Sequence, residues 1–148
     1  MIPTKENITK KFKNYKDTPI EYEDIDLSIR QFMFKLNAGK NIATIYSCEG
    51  HQDNDWAYIF FSVNNKGWDI FWGKTLPELI AHLKNDLPIM NMFVVDINCN
   101  EYNQGITIHR RLNTDVLEFE DGTVLENTWE EKKKIFWKTM EEIFLKHF

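Results

Sequence analysis

Ile42-Ala43-Thr44-Ile45-Tyr46 runs into Ser47-Cys48-Glu49-Gly50-His51-Gln52-Asp53, and Trp56-Ala57-Tyr58-Ile59-Phe60-Phe61-Ser62-Val63 follows. A β-branched run, a glycine-containing turn and an aromatic run predict two strands joined at that turn. The turn packs a thiol, two carboxylates and an imidazole into seven residues. A strand end crowded with reactive side chains is where a small domain places a site.

Working outward, Ile25, Ile29, Phe32, Met33 and Leu36 recur at helical spacing. Asp24 or Asp26 can cap that helix and Gly39 can end it. An earlier helix is predicted over Lys5 to Tyr15, with Ile8, Phe12 and Tyr15 on one face. Beyond Val63, Asn65-Lys66-Gly67 reads as a hairpin turn into a strand from Trp68 to Trp72. Thr75-Leu76-Pro77-Glu78 has the form of a helix start. Thr75 and Glu78 make a capping box, Pro77 fits the first turn, and Leu76, Leu79, Ile80, Leu83 and Leu87 form the buried stripe. Pro88 ends it.

Met90 to Asn98 is a near-continuous apolar run and predicts a central strand. Gly105 to Arg111 is the next strand, and Asp121-Gly122 predicts a tight hairpin between Val116–Phe119 and Thr123–Leu125. Asn127 and Glu130 open a long last helix whose core face carries Trp129, Phe136, Met140, Ile143 and Phe144. The order predicts an α+β fold: a mostly antiparallel sheet with helices packed on one face and a long C-terminal helix. Helix, strand, cysteine-bearing turn and strand occur twice, around Cys48 and around Cys99. A degenerate α-β-β repeat would put both cysteine turns at the same end of the sheet.

At 148 residues the chain suits a single domain, and 14% aromatic residues favour a well-packed core with rings to spare for a pocket. The net charge of −5 argues against nonspecific nucleic-acid binding, which needs cations to neutralise phosphates. The lysines between Lys5 and Lys16 and the run Lys132-Lys133-Lys134 read as solvated helix faces. Two cysteines are too few for a disulfide framework, the first residues are polar, and no apolar run reaches membrane-spanning length. These features predict a cytoplasmic protein with free or metal-bound thiols and no membrane contact.

Four chemistries fit the turn. Cys48 and His51, spaced C-x2-H, can share a zinc ion that Cys99 and His109 would complete as a Cys2His2 set. Cys48 can act as a nucleophile with His51, His109 or His82 as its base. Glu49, His51, Asp53 and Asp55 can do acid–base work. A ligand pocket is the fourth: Trp56, Tyr58, Trp68 and Trp72 can stack on a planar group, Arg110 and Arg111 can clamp an anion, and Ser47, Gly50 and the turn amides can form an anion nest.

The segment from Ile29 to Val63 resembles the N-terminal part of the wybutosine-synthesising tRNA methyltransferases. That family shows a helix and then a Thr-rich strand running into Ser-Cys-Ser-Gly-Arg. Ser47, Cys48 and Gly50 match the motif, while Glu49 replaces its second Ser and His51 its Arg. The resemblance implies a site at this turn in an α+β fold and, by extension, S-adenosylmethionine-dependent RNA modification.

The expectation is a protein that binds a small polar ligand, a nucleotide or a derivative, through Ser47, Cys48, Glu49, His51, Asp53, Trp56, Trp68, Arg110 and Arg111. One alternative is an enzyme that uses the same turn for methyl transfer or for metal- or Cys-assisted hydrolysis. Another is an acidic protein-binding inhibitor, such as a phage counter-defence protein, that meets a protein partner through Glu21 to Asp24 and Glu118 to Asp121. The aromatic last helix can also support a homodimer.

Overall fold

A computed structural model describes residues 24–51, 56–86, 94–99, 104–112, 116–118, 121–122, 124–126 and 129–148. The helix expected over Lys5 to Tyr15 and the acidic residues Glu21 to Glu23 lie outside them, as do Asp53, Asp55 and the Asn127 cap.

Helix α1 (Arg30–Ala38) is entered through a 3-10 turn, Leu27–Ile29, and buries Phe32, Met33 and Leu36. Asp26 stands at the N-cap of that turn, but its side chain makes no capping hydrogen bond. Gly39 ends α1, as the sequence predicts. Asn37 then ties the helix to the sheet. Its amide nitrogen donates to the Met33 carbonyl at 2.8 Å and the Thr44 hydroxyl at 2.7 Å, and its amide oxygen accepts from Thr44 N at 2.8 Å.

Strands β1 (Ile42–Cys48) and β2 (Trp56–Val63) pair antiparallel, and β2 pairs with β4 (Gln104–Arg111), which pairs with β3 (Val94–Cys99). The four-stranded order is β1-β2-β4-β3. Along β2 every second residue (Ala57, Ile59, Phe61 and Val63) joins the core, with Ile106 and Ile108 beside them on β4. That one face receives Ile29, Phe32, Met33 and Leu36 from α1 and Phe136, Trp137, Met140, Ile143 and Phe144 from the last helix. The α+β reading holds, but β3 is an edge strand of this sheet rather than a central one. Its apolar run does not show which neighbours it has, and Asp96 within it is exposed.

The hairpin expected after Val63 does not form. Residues 65–86 are helical: α2 (Asn65–Ile70), a π turn (Phe71–Thr75) and α3 (Leu76–Asp86) follow without a break. Asn64 caps α2 by accepting from Gly67 N at 2.8 Å. Gly67 lies so close to the Asn41 carbonyl that a Cβ would stand 2.0 Å from it. The burial reason is direct. On the helix, Phe71 becomes fully buried, 5.2 Å from the Phe61 ring and 6.3 Å from Phe144, worth about 2–3 kcal/mol in transfer from water.

The capping box expected at Thr75 is therefore absent, because the π turn runs straight into α3 and leaves no open helix end there. Thr75 is buried and its hydroxyl donates to the Ile70 carbonyl at 3.3 Å, while Glu78 reaches Lys146 and His147 on the last helix. Pro77 has no N–H for an ordinary helical bond. The π turn shifts the pattern just before it, with Leu76 N donating to Phe71 O.

β5 (Val116–Glu118) and β6 (Val124–Glu126) form the predicted hairpin, with Gly122 at φ 83° between them. Helix α4 (Trp129–His147) closes the chain. Its lysine run is not simply solvated: Lys132 is buried, Lys133 is turned inward and Lys134 lies toward solvent. Among the described residues no helix is long and apolar enough to cross a membrane.

Candidate functional site

A bulge decides which way the reactive turn faces. In β1 the register with β2 slips between Thr44 and Tyr46, so Thr44 pairs with Phe61 but Tyr46 pairs with Phe60. The extra residue, Ile45, reverses the inside–outside alternation of everything after it. Tyr46 then stacks on Phe60 at 6.1 Å, and Cys48 pairs with Tyr58, on the face opposite the helix-packed core.

The turn after Cys48 is held from three sides. Asp26 Oδ2 accepts from Glu49 N at 2.8 Å and contacts His51 Nε2 at 3.2 Å. Trp137 Nε1 donates to the Glu49 carbonyl at 2.8 Å. The Glu49 carboxylate meets Lys133 Nζ at 3.0 Å and accepts from the Ser28 hydroxyl. Lys133 in turn lies 5.0 Å over the Trp129 ring. Gly50 has φ 96°, and a Cβ on it would stand 2.6 Å from Leu112 Cδ1.

This anchoring brings Asp26, Cys48 and His51 together. One donor atom from each lies within 4.8 Å of the other two. Cys48 is buried and His51 is half-exposed. Asp26 is the member that sequence reasoning missed. It reads as a helix cap, and nothing at its position signals a partner twenty-odd residues away. Its carboxylate serves the turn instead of the helix.

Beside this cluster lies a shallow, solvent-open cavity of about 400 Å³ lined by Trp56, Tyr58, Thr107 and His109. The register explains it. Cys48, Tyr58, His109 and Val94 form one row across the four strands, and Phe60, Thr107 and Asp96 part of a neighbouring one. His109 Nε2 meets Asp96 Oδ2 at 2.7 Å, a diagonal contact between β4 and β3, and its ring packs edge-on to Trp56 at 4.8 Å. Tyr58 joins the two features. Burial, and then the nearby Cys48, Asp26 and Tyr46, push its phenol above the ordinary value of 10.0.

Other expected residues lie elsewhere. Trp68 follows the far end of β2 and packs against Trp72 at 5.5 Å. Arg110 pairs with Ala57 and is buried on the helix-covered side, so it does not rim the cavity. Arg111 pairs with Trp56, but its side chain, like those of His82 and Cys99, lies outside the described residues, as does Asp53. Ser47 pairs with Ile59, in the inward register.

The Cys2His2 arrangement, and the expectation that both cysteine turns share one end of the sheet, fail on strand direction. Cys99 pairs with Gln104, five registers along β3 from the row that holds Cys48, and β3 and β1 are opposite edges. At about 3.3 Å per residue and 4.8 Å per strand, their Cα atoms stand roughly 20 Å apart. The two cysteine turns lie at opposite ends of the sheet. His109 is two strands from Cys48 and contacts Asp96. No protein-family model, curated protein or solved structure matches this chain, so its functional reading rests on the geometry of the site itself.

Proposed function

We propose that the protein binds a small planar heteroaromatic ligand of the nucleobase or nucleoside class in the cavity beside the 47–51 turn. The observation that carries this is the lining: two aromatic rings, Trp56 and Tyr58, with Thr107 and a His109 oriented by Asp96. The indole and phenol faces offer stacking surface, which is worth about 1–3 kcal/mol per base. The lining is almost wholly apolar, so stacking carries most of the affinity. A volume of about 400 Å³ is at the small end of ligand sites and suits a base or nucleoside. Arg110 points to the other face, so the stacking rings carry the recognition proposed here.

Isothermal titration of the full chain with the four common nucleosides and their monophosphates tests this. The expected result is saturable binding of at least one nucleoside. Trp56→Ala should weaken it about tenfold or more. Absence of heat for every nucleoside at millimolar concentration, or equal affinity in Trp56→Ala, overturns the proposal.

A further inference from the structure

We propose that Asp26, Cys48 and His51 form a binding site for a divalent transition-metal ion of the zinc class. Three donors of graded softness (a carboxylate oxygen, an imidazole nitrogen and a thiolate sulfur) converge from two chain segments, each within 4.8 Å of the others. Around a tetrahedral zinc ion, ligand atoms at about 2.0–2.3 Å from the metal stand roughly 3.3–3.7 Å apart. The His51 Nε2 to Asp26 Oδ2 separation of 3.2 Å, a hydrogen-bond contact, is just short of one edge of that tetrahedron. The widest pair needs to close by about 1 Å, within the reach of side-chain rotation. A thiolate and an imidazole select zinc-class ions over magnesium or calcium, and three protein ligands leave a fourth position for water or an incoming group.

The surroundings supply what a ligand set needs. Glu49 N, donating at 2.8 Å, orients the Asp26 carboxylate, as outer partners of metal ligands do. Gly50 and the Trp137 bond to the Glu49 carbonyl fix the backbone between Cys48 and His51. His51 is half-exposed, so an ion has a path in. Proton bookkeeping is simple. Binding sends the Cys48 thiol proton to solvent, and the proton that His51 Nε2 shares with Asp26 gives way to an N–H on Nδ1, leaving Nε2 of a neutral ring for the metal.

The site does not depend on the nucleoside reading, because metal uptake is measured without any nucleoside. Titration of the full chain with cobalt(II), followed by zinc(II) competition, tests it. The expected result is one cobalt per chain, a sulfur-to-cobalt charge-transfer band with the visible spectrum of a tetrahedral ion, displacement by zinc, and release of about one proton in calorimetry across buffers of different ionisation enthalpy. Cys48→Ala should abolish the band. His51→Gln and Asp26→Asn, in which the amide oxygen still accepts from Glu49 N, should each weaken binding at least about tenfold. Zinc should also shield Cys48 from iodoacetamide, as read by peptide mass mapping. The inference is overturned by a lack of uptake at millimolar cobalt, by a band that survives Cys48→Ala, by unchanged affinity in both His51→Gln and Asp26→Asn, or by rapid Cys48 alkylation that zinc does not slow.

Discussion

The indole N–H of Trp137 donates to the carbonyl oxygen of Glu49 at 2.8 Å, across 88 residues of sequence. Together with the Lys133–Glu49 pair, this bond ties the last helix to the turn that carries Cys48 and His51. Trp137 is buried and also packs edge-on to Phe32 at 6.2 Å and Phe136 at 5.0 Å. Trp137→Phe keeps most of the packing and loses the donor. It should cost about 1–2 kcal/mol in urea unfolding. Trp137→Ala should cost about 3–5 kcal/mol, because a cavity is added to the lost bond.

Gly50 occupies a backbone conformation that side chains rarely adopt, under Leu112 and Ala57. Gly50→Ala combines that strain with a Cβ 2.6 Å from Leu112 Cδ1. We expect a loss of about 2–3 kcal/mol, measured by chemical denaturation. Gly50→Ala in a Leu112→Ala background should recover part of the penalty, since the clash is removed and only the strain stays. Recovery of none of it would mean that Leu112 is not what crowds the position.

Lys133 and Glu49 lie 3.0 Å apart with side chains only 17% and 15% exposed. Exposed pairs are worth at most about 1 kcal/mol, whereas removing one partner of a fully buried pair costs about 3–5 kcal/mol. This pair falls between. Lys133→Met should destabilise by about 2 kcal/mol. Glu49→Gln should cost a similar amount, and the double variant should cost clearly less than the sum of the two, a coupling that a thermodynamic cycle reads directly.

Glu78 contacts Lys146 at 2.6 Å and His147 on the last turn of α4, and these two hydrogen bonds hold its carboxyl below the ordinary value of 4.5. The folded state thus binds this proton more weakly than the unfolded chain. The contribution to stability is present above the unfolded value and fades as pH falls through the lowered folded value. Thermal melts of wild type and Glu78→Gln should differ at neutral pH and converge in acid, once the pH is below the lowered folded value. A gap that widens in acid would reverse the assignment.

Tyr58 should ionise above 10.0, because burial and the charges of Cys48 and Asp26 disfavour the phenolate. The difference titration between wild type and Tyr58→Phe, read by ultraviolet absorbance, isolates it. Repeating that difference in a Cys48→Ala background should bring the midpoint down toward the ordinary value.

Much of the fold is legible because local pattern carries it. The alternation through Trp56–Val63, the helical spacing of Ile29, Phe32, Met33 and Leu36, and the Asp121-Gly122 turn each state their own element. Residues 64–76 show how a short window misleads. Five residues rich in rings look like a strand, yet Trp68, Phe71, Trp72, Thr75 and Leu76 recur at helical intervals that run on into Leu79. The same window hid the cap, since Asn65-Lys66-Gly67 reads as a hairpin turn when the Asn64 side chain in fact opens a helix. Lys133 was hidden for a similar reason: its place in a basic run says nothing of the carboxylate opposite.

The site was legible in part. That Cys48 and His51 share a turn follows from their proximity in the chain, and the thiol and imidazole do stand together. Which third group joins them does not follow, and Asp26 arrives only because α1 packs beside the end of β1. Local periodicity writes the faces of helices and strands into the chain, since each residue's direction depends on its near neighbours. Strand order, the bulge at Ile45 and the separation of Cys99 from Cys48 come from long-range pairing, whose energy depends on which surfaces meet. No stretch of residues encodes that by itself, so the folded chain selects the neighbours of Cys48.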